Sequence, residues 1–70
     1  MDIRLATVCV VRKNSLFLVG RIIYSEQLRW STSPHDAWKT KDRAEAESVA
    51  RMVGGIVMLF NPIAGQLRVL

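Results

Sequence analysis

The chain has 70 residues and a mass of 7.9 kDa, is 50% hydrophobic, and sets ten Lys and Arg against six Asp and Glu for a formal net charge of +4. A chain of this length makes one domain and buries only about 60% of the surface its unfolded form exposes, so its stability is marginal. The single cysteine, Cys9, excludes an internal disulfide, and no structural-metal motif accompanies it, which leaves association with another copy or another protein as the remaining support.

From the N-terminus, Ile3 to Arg12 is rich in Val, Leu and Thr without helix punctuation and predicts a strand. This apolar run is broken at Arg12-Lys13, too short to span a membrane and without a small-residue cleavage pattern, so the expected location is the cytoplasm. Lys13-Asn14-Ser15 separates it from a second β-type run, Leu16 to Tyr24, and Asn14 tolerates the positive φ of a hairpin turn. Leu28-Arg29-Trp30-Ser31 predicts a third strand, and Ser31 to Asp36 is a loop by composition. Ala37-Trp38-Lys39 leads to a helix with Thr40 as the expected N-cap, or Asp42 with Glu45 as a capping box that starts later. Ala46, Val49, Ala50 and Val53 fall on one stripe at helical spacing, with Arg43, Glu47 and Arg51 on the opposite side. Gly54 supplies the stop. Ile56 to Phe60 then reads as a strand, Asn61 to Gly65 as a turn and Gln66 to Leu70 as a closing strand.

The expected fold is therefore a single α+β domain over residues 1–70: an antiparallel sheet of four to five strands in the order β-β-(β)-α-β-β, with one amphipathic helix of about 13 residues packed on one face. The strands are apolar on both sides, as where Thr7, Cys9 and Val11 alternate with Ala6, Val8 and Val10. Continuous apolar strands belong to sheets covered on both faces, and one helix covers one face. A symmetric homodimer or a protein partner is expected to cover the other, unless the sheet curls and buries both faces in one small barrel-like core.

Chemistry-bearing residues are sparse. His35 sits beside Asp36 in a polar loop, a pairing that can orient an imidazole, but no motif ties a nucleophile to it and the solvated-loop reading is preferred. Cys9 lies among valines as a small buried hydrophobe, since its neighbours supply neither positive charge nor exposure. Gly54-Gly55 follows a helix, whereas phosphate-cradling glycines precede one. These residues point away from an enzyme, and neither a cofactor nor a small-molecule substrate is expected.

Charge favours an acidic partner, with the excess in residues 1–34, where five basic groups face Asp2 and Glu26. Arg29-Trp30 and Trp38-Lys39 interleave indoles with cations, and with Arg12, Lys13 and Arg21 they make a candidate surface. Such a surface can stack bases and neutralise phosphates, so a sheet-based nucleic-acid reader using Trp30 and Trp38 is the alternative to a protein binder. The competing reading is that both tryptophans complete a small core. The helix itself mixes acidic and basic residues and has no basic face. Arg12, Lys13, Arg21, Arg29, Trp30 and Lys39 are the residues expected to meet the partner.

From Trp38 to Pro62 the string WKTKDRAEAESVARMVGGIVMLFNP resembles very small bacteriophage and prophage-type proteins: an aromatic, a capped Ala-rich helix, a Gly-Gly stop, a strand and a proline. The resemblance covers about a third of the chain. It implies a protein without catalytic residues, and because some small phage proteins of this build inhibit host complexes, anti-CRISPR proteins among them, it raises the expectation of a binder without naming a target.

Overall fold

The computed structural model describes residues 7–19 and 29–69 of the chain. Among these residues it is α+β: five strands form one antiparallel sheet, and there is one α-helix. The strands are β1 (Val8–Lys13), β2 (Leu16–Val19), β3 (Arg29–Ser31), β4 (Ile56–Asn61) and β5 (Gln66–Val69), with α1 (Arg43–Val53) between β3 and β4 and a short 3-10 turn at Pro34–Asp36. Across the sheet the order is β3-β2-β1-β4-β5. The expected strand at Ile3 begins, in the described residues, at Val8. The continuation of the second strand to Tyr24 and the start of the third at Leu28 lie outside them, as does Arg21.

Turn chemistry sets the hairpins. Asn14 takes φ 57° in the two-residue loop that joins β1 to β2, leaving Lys13 opposite Leu16. At the other hairpin Asn61 is only 4% exposed and its Oδ1 accepts from the N–H groups of Ile63 (3.0 Å) and Ala64 (3.1 Å). Gly65, at φ 68°, closes that loop by donating to Asn61 O at 2.8 Å. The side chain thus satisfies two backbone donors that would otherwise be lost beneath the turn.

The helix begins later than Thr40. Asp42 is its N-cap, accepting from Ala44 N (3.0 Å) and Glu45 N (3.3 Å). Thr40 is instead held in extended backbone by Cys9: Cys9 N donates to Thr40 O at 2.7 Å and Thr40 N to Cys9 O at 3.1 Å. A residue spending both backbone groups on a strand cannot open a helix, so the cap passes to the next acceptor that can. At the far end Gly54 is left-handed (φ 73°), and Gly55 N donates to Ala50 O at 2.8 Å in a Schellman-type stop. Gly55 is needed for another reason. A β-carbon there would lie 2.7 Å from Arg12 O and 3.1 Å from Val11 Cγ1, because the chain leaves the helix pressed against β1.

Among the described residues two clusters of buried side chains form, and strand alternation separates them. Cys9, Val11, Leu18 and Val57 pack with Ala46, Val49 and Ala50 of α1, and Trp30, Trp38, Val53 and Leu59 lie against that set. Val10, Phe17, Met58 and Phe60, from the alternate strand positions, pack with Ala37. Val10 and Phe60 are wholly buried and Met58 and Phe17 are 4% and 5% exposed, so these positions of the second apolar face are covered within the single chain. An external partner is not needed to cover them, contrary to the expectation from the apolar alternation.

Among the described residues Ala37 and His35 contribute to this cover, and they lead into an unusual passage. The β1–β2 hairpin pairs at Arg12–Phe17 and Lys13–Leu16 beside its turn, and farther out residues 38–40 take the place of the partner strand. Trp38 N donates to Leu18 O at 2.8 Å on one side, while Thr40 bridges Cys9 on the other. Along this extended piece Ala37 belongs to one cluster and Trp38 to the other. The chain thus passes between β1 and β2 beyond their pairing, with the 3-10 turn before the passage and α1 after it.

Candidate docking surface

The residues singled out from sequence are dispersed by the register. Arg12 pairs with Phe17 on one side and Ile56 on the other, and Arg29 pairs with Val19; counting alternation across the ladders puts both arginines on the face of Val10 and Phe60. Trp30 pairs with Leu18 and packs, half-buried, against the helix-side cluster, as does Trp38. The two indoles therefore turn inward on one face while Arg29 occupies the other. The interleaving seen along the sequence does not become one aromatic and basic surface, because a strand sends successive residues to opposite sides.

Both lysines in the set have local work. Lys39 Nζ donates to His35 O (2.7 Å) and Ala37 O (2.9 Å), tying down carbonyls at the end of the 3-10 turn. Lys13 Nζ lies over Gly54, 3.8 Å from where a β-carbon of that residue would sit. It thus brings a positive charge to the C-terminus of α1, where the helix dipole is negative. His35 places its ring edge-on to Phe60, with centroids 5.0 Å apart and planes at 86°. Asp36 Oδ2 accepts from Ser31 Oγ at 3.3 Å. The imidazole thus lies over the second cluster, and the neighbouring carboxylate is engaged with the end of β3.

Shallow, open depressions mark the surface of the described residues, and a pair of them bears on the site. One, of about 420 Å³, is lined by Val19, Arg29, Trp30, Ser31 and Asp36. Asp36 sets a carboxylate beside Arg29 there, which opposes an anionic ligand. The other, of about 410 Å³, lies between the end of α1 and the β4–β5 side of the sheet, with Arg51, Gly55, Ile56 and Val69 among its lining residues. Among the described residues no three of His, Cys, Asp and Glu come together as a metal-binding group. Burial pushes the Cys9 thiol above its ordinary value, which suppresses the reactive thiolate.

What sequence reasoning missed is on β5. All four of its residues are exposed, with Leu67 at 36% and Val69 at 72%, and Ile56 beside them is 46% exposed. Leu67 pairs with Phe60 and Val69 with Met58, so these side chains extend the second cluster outward from its buried centre to the edge of the sheet. The signal was present in Gln66-Leu67-Arg68-Val69, a clean polar–apolar alternation, where β1, β2 and β4 are apolar over most of their length. It marks a strand with one wet face and one apolar face. Among the described residues no helix is long and apolar enough to cross a membrane. No protein-family model matches the chain, and neither a curated protein nor a solved structure is significantly similar to it.

Proposed function

We propose that the chain is a non-enzymatic binding protein of the cytoplasm that acts by docking on another protein and that associates with itself as a homodimer. The frame is an α+β layer with α1 over one face of the sheet and the 3-10 turn over the other. One observation carries the reading: the apolar row Ile56, Leu67 and Val69 continues a buried cluster out to the last strand of the sheet, beyond which no strand lies among the described residues. Exposed single apolar residues are ordinary, but a row contiguous with the core on an edge strand is the usual mark of an interaction surface. The likeness of residues 38–62 to small phage proteins supports the same class, an inhibitor that works by occupying a host complex.

A nucleic-acid surface built on Trp30 and Trp38 has weaker support, since both indoles pack against the helix-side cluster and are not laid out as a stacking platform. Fluorescence anisotropy of labelled single-stranded and duplex nucleic acid, titrated at two salt concentrations, separates the two classes. The expected result is no binding at low salt. Micromolar binding that falls steeply with salt, and that weakens on Arg12→Ala with Arg29→Ala, overturns the protein-docking reading in favour of a nucleic-acid one.

A further inference from the structure

The open edge of β5 has the chemistry of a self-pairing strand. At the end of the order β3-β2-β1-β4-β5, β5 hydrogen-bonds to β4 on one side and has no described strand on the other. Edge strands usually carry a device against pairing, such as a proline, a bulge or an inward charge. Residues 66–69 carry only Arg68, and alternation sends Arg68 to the face opposite Leu67 and Val69. The hydrophobic face is therefore unguarded along the edge.

We propose that two copies of the chain join antiparallel through β5, about a two-fold axis at Leu67, making one continuous ten-stranded sheet. This rests on the homodimer reading above and names its surface. Geometry and charge choose the register. A two-fold axis normal to the sheet requires a residue to meet its own copy, because only then do paired side chains share a face. Centring on Arg68 sets two guanidiniums directly opposite one another, a destabilising pair. Centring on Leu67 sets Leu67 against Leu67, and Gln66 against the Arg68 of the other copy, so an amide carbonyl can accept from a guanidinium. On the apolar face the rows of Ile56, Leu67 and Val69 then meet across the axis. A four-residue edge falls short of the roughly 1,200 Å² total that stable interfaces bury, so the dimer exchanges with monomer at micromolar concentrations. Each copy carries a net charge of +4, so the association tightens as salt is raised, the reverse of docking onto an acidic partner.

Sedimentation equilibrium of the full chain over a concentration series, at low and high salt, is the test. The expected result is a monomer–dimer equilibrium that tightens with salt and that Leu67→Glu weakens about tenfold or more, since it sets two carboxylates opposite each other at the axis. Circular dichroism of the variant shows that the monomer is folded. Mild oxidation supplies a second readout: Leu67→Cys cross-links into a disulfide dimer, whereas Arg68→Cys, displaced from its copy, does not, and Cys9 stays buried in both. A monomer at every concentration overturns the homodimer reading and this surface together. A dimer that Leu67→Glu leaves intact, or one in which Arg68→Cys cross-links and Leu67→Cys does not, overturns the surface or its register and leaves the homodimer standing.

Discussion

The two adjacent glycines after α1 look interchangeable in sequence but meet different constraints. Gly54 needs a left-handed backbone and has open space around it, with only the flexible end of Lys13 near the position of a β-carbon. Gly55 needs the absence of a β-carbon, because Arg12 O lies 2.7 Å from where it would be. Gly54→Ala is therefore expected to cost about 1 kcal/mol, the usual penalty for a side chain at positive φ. Gly55→Ala forces the helix end away from the backbone of β1 and is expected to cost about 2–3 kcal/mol, as overpacking does. Urea denaturation of the two variants measures both, and equal costs would refute the distinction. Cys9 gives a residue-scale pH effect. Its thiol pKa is raised in the folded state from the reference value of 9.0, so the folded protein holds that proton more tightly than the unfolded one. Stability is therefore unaffected by this group below about pH 9 and falls as pH climbs from there toward the folded value. Cys9→Ala should show a smaller loss between neutral and strongly alkaline pH than the wild type, whatever its cost at pH 7. The comparison cancels the titration of Tyr and Lys common to both proteins.

At the scale of elements, the start of α1 shows how far local sequence determines structure. Thr40 and Asp42 are both good caps, and only the pairing of Thr40 with Cys9, remote in sequence, decides between them. Asp42→Ala should cost about 1 kcal/mol through two lost cap bonds, and Asp42→Ser should recover most of it; Thr40→Ala should cost less, because its two bonds to Cys9 are backbone bonds and it loses only the one that Thr40 Oγ1 accepts from Asp42 N at 3.1 Å. Helicity and denaturation midpoints of the three variants test the assignment. The helix stripe, the Gly54 stop, the Asn14 turn and the β4–β5 hairpin were legible because each depends on periodicity or on turn chemistry within a few residues. The passage of residues 38–40 through the sheet was not. It depends on β1 and β2 parting beyond Arg12–Phe17, and nothing within Ala37-Trp38-Lys39 distinguishes an inserted strand from a linker. The candidate site fared worst for the same reason. Arg29 and Trp30 are neighbours in sequence and opposite in space, while the alternation that carries Leu67 and Val69 gained its significance from the exposure of β5.

At the scale of the whole molecule, the fork makes two small cores depend on one another. The helix-side cluster and the cluster of Val10, Phe17, Met58 and Phe60 are lined by the same strands. The extended passage is continuous with α1, and its backbone bonds bind both sides of the fork. Loss of packing on either face therefore loosens the strands that organise both, and unfolding is expected to be a single transition. Both tryptophans lie against the helix-side cluster and report on it by fluorescence. Val10→Ala removes two methyl groups from a wholly buried site on the opposite face and should cost about 2 kcal/mol by transfer and cavity terms. If the faces are coupled, the variant lowers the tryptophan-detected midpoint and the far-ultraviolet circular dichroism midpoint by the same amount. A tryptophan midpoint that stays in place while the dichroism transition broadens would mean that the helix-side core stands by itself. The passage of residues 38–40 would then be a linker and not the tie between two faces.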